Sequence, residues 1–116
     1  MARKGIFPFF GEDLQQPGAS ANWDGKAGFI KVDGGAYNIT FNTTNYNGAG
    51  EPVIESGQAI HVQNSHDSAI DVIITGGPFG DTTGDTASLA AGESVTVLYH
   101  ETHGFVFLGG MEIELG

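Results

Sequence analysis

The chain has 116 residues, 40% hydrophobic and 16% charged, which suits one globular domain with a single modest core and excludes a disordered polymer. A net charge of −10 argues against nucleic acid and against an anionic membrane surface, because four basic groups cannot outweigh fourteen acidic ones. The absence of cysteine excludes disulfides, thiolate zinc sites and a Cys nucleophile, and no run approaches the ~20 apolar residues of a spanning helix. All four basic residues, Arg3, Lys4, Lys26 and Lys31, fall in the first 31 positions. The start, Met1 to Gly11, is too short an apolar stretch and too soon followed by Glu12 and Asp13 for a signal peptide, so assembly in a cytoplasm is expected.

Residues 1–25 are punctuated by Pro8, Pro17, Gly18 and Gly25 and show little periodicity. They read as an N-terminal arm and loop, leaving 26–116 as a β-domain. Arg3, Lys4, Ile6, Phe7, Phe9 and Phe10 are the arm's candidate partner-binding residues, joining charge to a compact apolar run. The alternative is an ordinary first strand, Ile6 to Phe10, paired within the domain. Gly28 to Val32 predicts a short strand, Asp33-Gly34-Gly35 a turn with positive φ, and Tyr37, Ile39 and Phe41, alternating with polar neighbours, a second strand completing a hairpin. Thr43 to Gly50 reads as a polar loop. Strands follow around Ile60 and Val62 and over Ile70–Thr75, then a long turn region from Gly76 to Ala91. Ser94–Tyr99, a run through Phe105 and Phe107 apolar on both faces, and an alternation through Met111, Ile113 and Leu115 complete the pattern. About 7–8 strands at this spacing predict an all-β fold: a single β-sandwich or small barrel, jelly-roll-like, with an extended arm.

One stretch has a distinctive rhythm. Gly57-Gln58-Ala59-Ile60-His61-Val62-Gln63-Asn64-Ser65 leads to Ala69-Ile70-Asp71-Val72-Ile73-Ile74-Thr75-Gly76. After a Gly/Thr/Asp loop come Ser88-Leu89-Ala90-Ala91-Gly92-Glu93-Ser94-Val95-Thr96-Val97-Leu98-Tyr99 and then Gly104-Phe105-Val106-Phe107-Leu108-Gly109-Gly110. This resembles the β-modules of tailed-bacteriophage virion proteins, over about half the chain, and is more specific for architecture than for role. Asn64 and Ser65 can close a turn with side-chain hydrogen bonds, Gly92 can supply positive φ, and Val95 and Val97 can pack under Phe105 and Phe107. The resemblance, with the short cysteine-free chain, is closest to a small capsid decoration, or cement, protein. It implies a virion location on the capsid surface, the major capsid protein as partner, a homotrimer, and no catalytic residue, metal or cofactor. A fibre, spike or tail module binding a host-surface glycan is the alternative within viruses.

Several strings bear on other chemistries. His100-Glu101-Thr102-His103, with His61 nearby in space, would serve a small cupin-like metal enzyme, but its histidines are three apart, neither the metalloprotease nor the usual cupin spacing. Ser65-His66-Asp67 has triad residue types in one turn, where triad geometry rarely arises. Asp81-Thr82-Thr83-Gly84-Asp85 offers oxygen ligands without an EF-hand's closing Glu. Gly76 to Gly80 lacks the Lys of a phosphate loop. Trp23, between Asn22 and Asp24, reads either as a sugar-stacking ring or as the anchor where arm meets body. Asn38 and Asn42 begin chance glycosylation sequons.

Overall fold

A computed structural model describes residues 9–75, 85–108 and 113–114. They form a two-sheet β-sandwich of eleven strands, not a closed barrel. The strands are β1 (Phe9–Phe10), β2 (Asp13–Gln15), β3 (Ala21–Asn22), β4 (Ala27–Val32), β5 (Ile39–Asn42) and β6 (Gln58–Asn64), followed by β7 (Ile70–Thr75), β8 (Asp85–Leu89), β9 (Ser94–His100), β10 (Gly104–Leu108) and β11 (Ile113–Glu114). One sheet, here sheet A, runs β10-β9-β6-β4-β2 with β1 also on β6; sheet B runs β11-β8-β7-β5-β3.

The chain winds between the sheets. From β2 to β7 successive strands alternate A, B, A, B, A, B, so each strand pairs in parallel with the one laid down a full circuit earlier: β2 with β4, β4 with β6, β3 with β5, β5 with β7. Parallel neighbours need a long crossover, and here the crossover is a strand of the opposite sheet. Only then does the chain double back, with antiparallel pairs β7–β8, β6–β9 and β9–β10. A jelly roll is built of antiparallel Greek keys, so the parallel centre sets this sandwich apart from it.

The expected hairpin at Asp33-Gly34-Gly35 is therefore absent. Gly34 and Gly35 do not take positive φ, and residues 33–38 carry the chain from β4 in sheet A to β5 in sheet B. Residues 9–25 likewise differ from a detached arm. They add β1 and β2 to sheet A and β3 to sheet B, and Gln15 ties them together, its side-chain amide donating to Asn22 O at 3.0 Å and accepting from Asp24 N at 3.1 Å. Arg3, Lys4, Ile6 and Phe7 lie outside the described residues. Within the long turn expected from Gly76 to Ala91, residues 85–89 are instead a strand, β8, whose inward residues Ala87 and Leu89 are buried. A single large apolar side chain in five residues left little pattern to read.

Between β1 and β2 the backbone crosses the start of β4. A Cβ on Gly11 would lie 2.6 Å from Lys26 O, and one on Gly28 would lie 2.1 Å from Gly11 O. Two facing glycines make this close approach feasible.

The core lies between the sheets and combines Ile30, Val32, Ile60, Val62, Val95 and Val97 of sheet A with Ile39, Phe41, Val72, Ile74, Ala87 and Leu89 of sheet B. Its aromatic end is built on Trp23, which is 2% exposed, with ring centroids 5.1 Å from Tyr46, 5.7 Å from Phe41 and 5.9 Å from Phe105. Val95, Val97 and Phe105 join this core and Phe107 packs half-buried against it, as the alternation of β9 and β10 implies.

Candidate functional site

The outward-facing side chains distinguish the two sheets. In sheet B they are mostly polar: Thr40 and Asn42 of β5, Asp71 and Thr75 of β7, Thr86 and Ser88 of β8, with Ile73 the apolar exception. Ser88 Oγ donates to Asp71 Oδ1 across this face at 2.9 Å.

Sheet A is different. Register places Leu14, Phe29, His61, Thr96 and Leu108 in one row crossing five strands. Phe10, Ala59, Leu98 and Val106 form the adjacent row. Paired residues of neighbouring strands point to the same side, and Ile60 and Val62 of β6 are core residues, so both rows face outward. Phe10 and Leu14 are each 53% exposed and Leu108 is 40% exposed. Ala59 and Leu98 are buried yet stand apart from the core cluster between the sheets. The Phe29 ring lies 5.6 Å from the His61 ring, and His61 Nδ1 is 3.2 Å from Thr96 Oγ1. Neither row contains Asp or Glu. The described acids lie in turns, at β2 and its approach, and on sheet B.

Phe9 and Phe10, the described members of the expected partner-binding set, are 41% and 53% exposed. They pair in parallel with Gln58 and Ala59, so Phe10 shares the outer face with Ala59 while Phe9 takes the opposite direction. The phenylalanines thus belong to a built edge of sheet A, which the alternative reading of a domain strand describes better than a free arm.

The histidine string is a turn. His100 Nδ1 accepts from Thr102 N at 3.0 Å and from His103 N at 3.3 Å, capping the β9–β10 connection. The His100 and His103 rings are 4.9 Å apart. His61 is not brought to them: its neighbour Thr96 is four residues along β9 from His100, roughly 13 Å at strand rise. Among the described residues no three of His, Cys, Asp or Glu gather in a way that could hold a metal.

The remaining strings are structural. His66 Nε2 meets its neighbour Asp67 at 3.1 Å, and no hydrogen bond joins it to Ser65 Oγ. Asp81 and the Gly76–Gly80 run lie outside the described residues. Trp23 is in the core, its Nε1 donating to Ala27 O at 2.8 Å, so its ring presents no surface to a sugar and the anchoring reading holds. Asn38 and Asn42 of the two sequons both use their side chains internally, accepting from Asp71 N at 3.0 Å and Thr44 N at 3.0 Å.

Sequence reasoning singled out Val106 and Leu108 but missed the rows they complete. Phe29, His61 and Leu98 each sit alone among residues of the other facing, and only strand register brings them together. Neither a family model, nor a curated protein, nor a solved structure matches this chain.

Proposed function

We propose that this chain is a virion structural protein that decorates the outside of a tailed-bacteriophage head and braces the major capsid protein, as a homotrimer, with its N-terminal segment as one anchor. The observation that carries this reading is the position of Phe9 and Phe10, held exposed on a short strand at the margin of sheet A. They continue the apolar, basic sequence that contains Arg3, Lys4, Ile6 and Phe7. Such a segment suits docking against a protein edge or groove, where each phenylalanine covered contributes on the order of 1–2 kcal/mol. The acidic body suits a solvent-facing side and discourages non-specific association.

The resemblance of residues 57–110 to phage β-modules supports the same role. Its turn residues act as scaffold: Gly92 has φ +84°, and Glu93 Oε1 accepts from Ala90 N at 2.7 Å. The glycan-binding fibre reading loses its candidate sugar platform with Trp23 buried, and the cupin-like reading lacks a gathered ligand set among the described residues.

The test is co-sedimentation with expanded shells of the capsid protein encoded beside this chain. The full chain should bind at fixed stoichiometry and raise the shell's melting temperature. Deleting residues 2–8, which spares β1, should weaken binding at least about tenfold. Unchanged binding by the deleted form would remove the anchor from the account, and no binding by the full chain would remove decoration itself.

A further inference from the structure

We infer that the outer face of sheet A is a self-association surface whose occupant is a second copy of this chain. The inference stands without the decoration reading, because it rests on the contrast between the two outer faces. Leu14, Phe29, Leu98, Val106 and Leu108 project from five strands into one continuous area. The face is roughly 20 Å across, four strand spacings of about 4.8 Å. The equivalent area of sheet B carries Thr, Ser, Asn and Asp. A broad apolar patch opposite a polar one is the pattern of an interaction surface rather than of scattered exposed residues.

Charge selects the occupant. With a net charge of −10, two copies repel unless they meet where carboxylates are absent. The two apolar rows contain none. The next row of the same face is Lys31, Gln63 and Ser94, and Lys31 Nζ already lies 3.8 Å from Asp33 Oδ2. No cluster of unpaired charge on the rows would choose an oppositely charged partner. An uncharged apolar face is complementary to itself, and closed symmetric contact between identical patches is the commonest form of protein oligomer. His61, at the middle of the longer row, would lie inside such a contact, with Thr96 satisfying its Nδ1.

Sedimentation velocity on the full chain, up to about 100 µM, tests this. The wild type should sediment as an oligomer of the 12.1 kDa chain. Leu14→Lys and Leu108→Lys, at positions exposed enough for the folded subunit to accept them, should each weaken association by about tenfold or more with far-UV circular dichroism unchanged. Ser88→Lys on the sheet B face should leave association as in the wild type. The inference is overturned by a wild-type monomer throughout this range, by lysine variants that associate as the wild type does, or by equal disruption from Ser88→Lys. A monomer that still binds shells would leave decoration standing and remove self-association alone.

Discussion

Asn64 shows how single side chains fasten this fold. Fully buried at the end of β6, it donates from Nδ2 to Ser68 O at 2.8 Å and Leu89 O at 3.0 Å, and accepts at Oδ1 from His66 N at 3.0 Å. Its backbone adds a bond from its N–H to Glu93 O and another from Gly92 N to its carbonyl. One residue thus joins β6 of sheet A, the connection to β7, the end of β8 in sheet B and the turn into β9. Asn64→Ala would strand two carbonyls and an N–H, a loss of about 3 kcal/mol. The urea midpoint should fall accordingly with little change in slope, whereas a loss under 1 kcal/mol would mean that water replaces the amide. Tyr46 makes a second residue-scale case. Burial, with a smaller contribution from the Asp24 charge, pushes its phenol above the ordinary value of 10.0. The folded state then keeps this proton at pH values where the unfolded chain loses it. The stabilisation is whole below about pH 10 and declines above it, by up to about 1.4 kcal/mol per pH unit. Tyr46→Phe should flatten that decline in urea titrations between pH 9 and 11. At neutral pH it should cost roughly 1–2 kcal/mol through loss of the 2.6 Å bond from its hydroxyl to Trp23 O.

At the scale of elements, the crossing of β4 by the chain between β1 and β2 is the tightest local feature. Gly28→Ala would drive a methyl into the Gly11 backbone and should cost about 3 kcal/mol through overpacking, most of it local to β1 and β2. Gly18→Ala, where nothing lies within 4 Å of the added carbon, should stay within about 0.5 kcal/mol of wild type. Hydrogen exchange would locate the first effect: faster exchange of Phe9 N, bonded to Gly57 O, is expected before any change at the centre of β6. The elements themselves were largely legible in the sequence. β4, β5, β6, β7, β9 and β10 follow from period-two alternation of Val, Ile and Phe with polar residues. β8 was not, because Ala87 and Leu89 are a faint inward signal. Partner choice was hidden as well: Asp33-Gly34-Gly35 carries a hairpin composition, but the strands on either side bury their apolar faces from opposite sheets. The outer face of sheet A was invisible for the same reason, since its members are separated by long intervals in the chain and become neighbours only through register.

At the scale of the molecule, the winding path makes the two sheets mutually dependent. β4 cannot find β6 until β5 has been placed in sheet B, so neither sheet is a continuous segment. The sandwich should unfold as one unit, with far-UV circular dichroism and Trp23 fluorescence giving coincident transitions. Its many non-local pairings predict folding in milliseconds to seconds rather than microseconds. The same construction divides the exterior into a polar face on sheet B and an apolar, carboxylate-free face on sheet A, with the exposed phenylalanines of β1 at the margin of sheet A. A decoration protein needs surfaces of this kind: one for its own copies, one for the shell and one for water. An electron-microscopy reconstruction of particles produced by the genome that encodes this chain tests that role most directly. The account predicts density matching the sandwich on the outer surface of the head, repeated at junctions between capsid subunits. Density confined to the tail, or its absence from the assembled particle, would contradict it.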